Sequence, residues 1–398
     1  MRDSLKKNGR RVAVLVIGAG VTCTFAAWLV VRISPLPQTR YERALTALQA
    51  GDLKTVAAAA RSLELVPDFE ERARYLRAAC LTKTGKRDEA LAELRLEPQA
   101  DELRVPMLLL IAESHYREGR LAEAEAAARR ALDEDPGSAD AHRWLASILY
   151  DLGASQAAIA ELNEVVQLAP QDFSPHHFLA TIEFDAERYQ QAAQAYRAAL
   201  ERSPPQAIRP ALVRGLMQAL VAQHEYAAAL AVGQTEGRRD ALVRDSLCLA
   251  LEAECRWNLG EPELARNLLD EAAQIDAHEP RLLRFRAQVL IESGQPAAAV
   301  PLLEELLEKD QHDFESRYRL SLACRKLREP ARADDELRRM HESQALRRKL
   351  TDLSELAVAR PRDAQVRDEL AAVCEQLAKP ELARLYRQAA DACRRSNQ

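Results

Sequence analysis

Small residues return at a fixed interval along most of this chain, and that recurrence restricts its fold more than any other feature. Take 34-residue frames beginning at 37, 71, 105, 139 and 173, then at 246, 280 and 314, with a last frame from 364. Position 8 reads Ala44, Ala78, Ala112, Ala146, Ala180, Ala253, Ala287, Ser321 and Ala371. Position 20 reads Val56, Ala90, Ala124, Ala158, Ala192, Ala265, Ala299, Ala333 and Ala383. Position 15 is glycine six times, at Gly51, Gly85, Gly119, Gly153, Gly260 and Gly294. A chain made of such units builds its core between neighbouring copies, so it extends as a stack.

Each position has a physical reading. A frame holds two amphipathic helices, A and B, joined by a tight turn. Methyl-sized side chains at 8 and 20 let the two backbones approach closely. Glycine at 15 supplies the positive φ of a helix C-terminus. Pro136, Pro170 and Pro204 at position 32 stop helix B. Pro262, Pro296, Pro330 and Pro380 at position 17 occupy the first turn of helix B, where a missing N–H costs nothing. Tyr196 and Ala199, or Leu303 and Leu306, at positions 24 and 27 are placed to fill the seam with the next unit. Composition agrees: glycine is only 13 of 398 residues, and the chain is rich in Ala, Leu, Glu and Arg, all strong helix formers. The expected fold class is all-α.

The frames divide the chain. Residues 32–40 form a linker containing Pro35 and Pro37. A first array covers 41–206, with its second frame broken early at Glu97-Pro98. Residues 207–245 read as one degenerate repeat with about five extra residues, and a second array covers 246–342. Residues 343–363 add a charged helix that bends the stack or lengthens a neighbouring helix, and 364–398 form a terminal repeat. The count is nine recognisable repeats and one degenerate one.

These frames, most clearly AERYQQAAQAYRAALERSPP within 105–206 and the frames over 246–313, resemble the tetratricopeptide repeat family. The resemblance covers 37–398. It implies a right-handed superhelical solenoid of antiparallel helix pairs, acting as a scaffold for a protein or peptide and doing no chemistry. In the family the concave face is lined by positions 2, 5, 9, 12 and 13. Here position 12 gives Tyr116, Tyr150, Phe184, Trp257 and Ile291, and position 5 includes Arg143, His177 and Arg284. The candidate partner-binding set is therefore Tyr116, Arg143, Tyr150, His177, Phe184, Trp257 and Arg284, an aromatic ladder with interleaved arginine. Asp151 and Asp185 accompany it at position 13. The competing reading has the position-12 rings covering the seam between successive A helices. Position 9 carries no Asn, so a clamp for a chaperone's carboxyl terminus is not expected.

The amino terminus carries a separate signal. Residues 12–31, VAVLVIGAGVTCTFAAWLVV, contain no charge. As a helix they would cover about 30 Å, the thickness of a hydrocarbon core. Arg2, Lys6, Lys7, Arg10 and Arg11 precede the run, opposed only by Asp3. The positive-inside rule leaves the basic tail, residues 1–11, in the cytoplasm. The expectation is a single-pass signal-anchor with the repeats on the periplasmic, extracytoplasmic side of the inner membrane. A cleaved signal peptide, a lipoprotein at Cys23 and a buried core helix are the alternatives. Trp28, Arg32 and Pro35 follow the run where a cleavable peptide has small residues.

Motifs for chemistry are missing. There is no HExxH, GxSxG, GxGxxG or GxxxxGK[ST], and no CxxC. His176 and His177 are adjacent and diverge by about 100° on a helix, so they share a metal poorly. The seven cysteines read as small buried hydrophobes. Residues 1–11 carry five basic groups and one acidic, so the net charge of −5 leaves −9 for the remainder, without a phosphate-binding footprint. No catalytic or metal residues, no cofactor, no nucleic acid and no small-molecule substrate are expected. The expected partner is a protein or peptide in the groove, with the membrane engaged through 12–31. Two alternatives keep the fold. One is a cytoplasm-facing adaptor in envelope assembly or proteolysis. The other is a solenoid that binds glycan or peptidoglycan.

Overall fold

The computed structural model describes residues 36–237, 245–360 and 363–396. The apolar run 12–31 lies outside the described residues. Among those described, no helix is long and apolar enough to cross a membrane.

Twenty helices and no strands appear among the described residues. They alternate as A and B. The first array holds α1 (Pro37–Gln49), α2 (Leu53–Leu63), α3 (Glu70–Lys83), α4 (Arg87–Glu93), α5 (Asp101–Arg117), α6 (Leu121–Glu134), α7 (Ala139–Asp151), α8 (Ser155–Leu168), α9 (Ser174–Asp185) and α10 (Tyr189–Glu201). Then come α11 (Arg209–Ala222), α12 (Tyr226–Gly237), α13 (Ser246–Asn258), α14 (Pro262–Ile275), α15 (Pro280–Glu292), α16 (Pro296–Lys309), α17 (Phe314–Lys326), α18 (Pro330–Ala359), α19 (Ala364–Gln376) and α20 (Pro380–Ser396).

The frame positions behave as their chemistry requires. Every residue at positions 8 and 20, from Ala44 and Val56 to Ala371 and Ala383, is at most 1% exposed. All six position-15 glycines have φ between 72° and 84°. Glu187, Arg328 and Ala378 hold the same position in their frames and are forced to φ of 58°, 65° and 56°. The turn therefore sets the dihedral, and glycine is only its cheapest occupant.

The chain divides into two units, Met1–Ser114 and His115–Gln398. In the first, Tyr41, Leu63, Leu76, Leu103 and Met107 form one apolar cluster. The α4 helix has only seven residues, matching the early break at Glu97-Pro98. Glu71 then caps the start of α5, accepting Gln99 N–H at 2.9 Å and Ala100 N–H at 2.9 Å.

In the second unit the degenerate pair α11–α12 keeps the architecture by exchanging sizes. Met217 stands where other frames carry alanine, and a Cβ on Gly233 would sit 3.0 Å from its Cε. Gly215 takes the ring of Tyr196, whose Cζ lies 2.3 Å from where a Cβ would be. His224 makes the positive-φ turn of this pair at 62°. Residues 343–359 do not form a helix of their own. They continue α18, which reaches 30 residues.

Candidate functional site

Four A helices, α13, α15, α17 and α19, start on acidic N-caps, Asp245, Glu279, Asp313 and Asp363, and α9 starts beside Asp172. Asp245 accepts Cys248 N–H at 2.8 Å, Asp313 accepts Ser316 N–H at 3.1 Å, and Asp172 accepts Ser174 N–H at 2.9 Å. An N-cap carboxylate satisfies an orphan amide and favours the helix dipole. Each of these three acids has a second task. Arg143 on α7 donates to Asp172 at 2.5 Å, Arg214 on α11 to Asp245 at 2.8 Å, and Arg284 on α15 to Asp313 at 2.8 Å. Position 5 of one A helix is thus tied to the cap of the next. Burial pushes the Asp313 carboxyl up, but Arg284 and the Ser316 hydrogen bonds together hold it below the usual carboxylate range.

The far ends of the A helices are joined by a second set of rungs. The Tyr116 hydroxyl donates to Asp151 at 2.5 Å, the Tyr150 hydroxyl to Asp185, and the Trp257 indole N–H to Glu292 at 2.9 Å. All three pairs are 35 residues apart, linking position 12 of one frame to position 13 of the next. The rings also stack edge-on. Tyr116 meets Trp144 at 5.6 Å, Tyr150 meets Phe178 at 5.3 Å, and Phe184 meets Tyr189 at 5.4 Å. The Arg266 guanidinium lies 5.8 Å from the centre of the Trp257 ring.

Five of the seven residues singled out in the sequence, Tyr116, Arg143, Tyr150, Trp257 and Arg284, reach to the next A helix or its start. Tyr116, Tyr150, Phe184 and Trp257 are half-buried. Their polar tips, where they have one, are spent on the next A helix. Arg143 and Arg284 are half-buried and spent on caps. His177 is half-buried 6.3 Å from the Tyr196 ring, and burial pushes its pKa below the usual histidine value. Burial pushes the Asp151 carboxyl up, while the Tyr116 hydrogen bond pulls it down more weakly.

Arg214, Glu292 and the cap acids are members of this network that reading the frames one at a time passes over. The signal is present in the sequence. An arginine at position 5 precedes an aspartate just before the next A helix, and an aromatic at 12 precedes an acid 35 residues on.

A third couple lies deeper. His142 Nδ1 meets Glu161 at 2.6 Å, and Arg317 donates to Glu336 at 2.5 Å, joining position 4 to position 23 of one frame in both cases. His142 is 9% and Arg317 7% exposed, so these couples hold a helix pair together and face no groove. Among the described residues no cluster of three or more His, Cys, Asp or Glu side chains could hold a metal ion. Cys248, Cys255, Cys324, Cys374 and Cys393 are buried, and Cys80 is half-buried.

The tetratricopeptide repeat family model matches residues 109–173 and 286–346. No curated protein matches the chain. Solved structures with a similar fold include a tetratricopeptide repeat protein from Parabacteroides merdae, 14% identical, with a TM-score of 0.44, covering 72% of this chain and 98% of that one. PilF of Pseudomonas aeruginosa is 17% identical, with a TM-score of 0.43 and coverage of 55% and 97%. MamA is 15% identical, with a TM-score of 0.40 and coverage of 44% and 93%. At these identities the likeness is one of fold.

Proposed function

We propose that this chain is a scaffold built of tetratricopeptide-type repeats. Its A-helix face, carrying Tyr116, Arg143, Tyr150, His177, Phe184, Trp257 and Arg284, binds an extended protein or peptide segment. The observation that carries this reading is the rung geometry. The hydroxyls, the indole N–H and the guanidinium groups are already committed to neighbouring helices, while the residues that carry them stay only half-buried. What the face offers is a row of rigid, prepositioned ring surfaces. Recognition then runs through ring faces and shape, with little entropy lost in ordering the host side chains. Tyr150→Ala and Trp257→Ala should each weaken capture of the same partner by about thirtyfold, the ~2 kcal/mol of a hot-spot truncation. Tyr150→Phe, which keeps the ring, should nearly restore it.

We further propose that residues 12–31 anchor the scaffold in the inner membrane, with the repeats on the periplasmic side. The support is the uncharged run and its basic amino-terminal flank. Anchoring would concentrate the scaffold near co-resident partners. A periplasm-active reporter fused after Gln398 should be active and a cytoplasm-active one silent. The reverse result favours the cytoplasm-facing adaptor.

A further inference from the structure

The last repeat of the second unit folds back onto much earlier ones. Helix α20 runs beside α6, and α18 beside α8. Tyr386, 2% exposed, sits in an apolar cluster with Leu353, Leu370 and Cys374, against which Leu152 also packs. Its hydroxyl donates to the backbone carbonyl of Leu152 at 2.9 Å, across 234 residues of sequence. The neighbouring residue, Gly153, has no room for a side chain. A Cβ there would lie 2.2 Å from Ser354 Oγ and 3.2 Å from the Tyr386 hydroxyl. One repeat earlier, a Cβ on Gly119 would lie 2.6 Å from Leu385 Cδ2. Two A–B turns one period apart are therefore gripped by adjacent residues of α20, with Ser354 of α18 beside them.

The grip falls at the edge of the ring ladder. Asp151, the acceptor of Tyr116, immediately precedes Leu152. Asp185, the acceptor of Tyr150, lines a cleft with Arg347 and Arg348 of α18.

We propose that residues 343–360 and 363–396 form an intramolecular clasp that covers the turn edge of the Tyr116 and Tyr150 rungs, and that its release opens those two half-buried rungs further to a partner. This rests on the reading of the A-helix face as a binding surface, but its test needs no partner. In the full chain, Tyr386→Ala should speed amide exchange at 119–123 and 152–156 by about tenfold or more, because local opening sets protection there. Exchange over 280–309 should not change. Tyr386→Phe, which loses only the hydroxyl bond, should give a smaller increase at 152–156 with the last repeat still folded. Nitration by tetranitromethane should rise several-fold at Tyr116 and Tyr150 in Tyr386→Ala and stay constant at Tyr318, which is 48% exposed already. Unchanged exchange at 119–123 and 152–156 in Tyr386→Ala would overturn the clasp, as would faster exchange there without added nitration of Tyr116 or Tyr150. Faster exchange and added nitration in Tyr386→Ala without any gain in partner capture would count against the binding surface and leave the clasp standing.

Discussion

Trp257 reaches across to Glu292, its indole N–H 2.9 Å from the carboxylate, and the same 35-residue step joins Tyr116 to Asp151 and Tyr150 to Asp185. Neither partner belongs to the other's repeat, so each rung fixes the stagger between successive A helices. Because such contacts are made only between neighbours, stability in this architecture is close to a sum of local terms. The same rungs hold the ring faces at a regular spacing, which links packing to the proposed recognition.

The Trp257–Glu292 rung can be weighed by a double-mutant cycle of Trp257→Phe and Glu292→Ala. Both groups are partly exposed, so the expected coupling is at the low end for a charge-assisted bond, about 0.5–1 kcal/mol by urea unfolding. Additive single effects would mean that the rung contributes no stability.

Turn position 15 makes a prediction of opposite sign at two sites. Ala378 holds φ of 56°, whereas Gly260 holds 83° with open space around a would-be Cβ. Left-handed backbone costs a non-glycine residue roughly 1–2 kcal/mol, partly offset by glycine's freer unfolded state. Ala378→Gly should therefore raise stability by about 0.5–1 kcal/mol, and Gly260→Ala should lower it by a similar amount. A calorimetric Tm that falls in the first variant or rises in the second would contradict the turn assignment.

Ala158 is fully buried at position 20 of its frame. Ala158→Leu should cost roughly 1–3 kcal/mol through overpacking between α7 and α8. Hydrogen exchange should place the loss in that pair, the pairs beside it and the part of α18 that runs beside α8. A change spread evenly over the second unit would contradict nearest-neighbour stacking.

The helical array was legible because its requirements repeat. Ala146 and Ala158 are spaced by the geometry of one helix pair, and every copy restates them, so local sequence suffices for helix count, turns and buried faces. The seven candidate residues lie on A helices, as the frame numbering expects. Their partners were not legible, because a rung connects different positions of different frames: Glu292 looks like an ordinary solvated acid until Trp257 is set beside it. The Tyr386–Leu152 joint was further out of reach. It pairs surfaces that no repeat rule relates, and Tyr386 stands at position 23, which holds Glu161 and Glu336 in other frames, so no seam rule marks it. Residues 343–363 read as an extra charged helix, but 343–359 continue α18, and whether such a segment bends the stack or extends its neighbour depends on packing against distant turns.

Acid should expose the role of Glu71. Its carboxylate is held below the usual range, chiefly by hydrogen bonds from Gln99 and Ala100 N–H. A depressed native pKa contributes stability above the unfolded value, and that contribution disappears as pH falls through the native one. Wild type should therefore exceed Glu71→Gln in stability at pH 7, with the gap closing as the pH drops below the ordinary glutamate value. A gap that widens on acidification would contradict the cap. Asp151 works in the reverse sense, because burial raises its pKa. Its contribution should fall as pH rises from the ordinary aspartate value through the raised native one.

The binding face itself is tested most directly by site-specific photocrosslinking in cells, with benzoylphenylalanine placed singly at Phe184 and Trp257 on A helices, and at Leu264 and Leu168 on B helices. Leu264 is 50% and Leu168 45% exposed, so both controls are open to solvent. The account predicts one and the same crosslinked partner from Phe184 and Trp257 and none from Leu264 or Leu168. Crosslinks from the B-helix positions alone would contradict it and leave the ladder as seam packing.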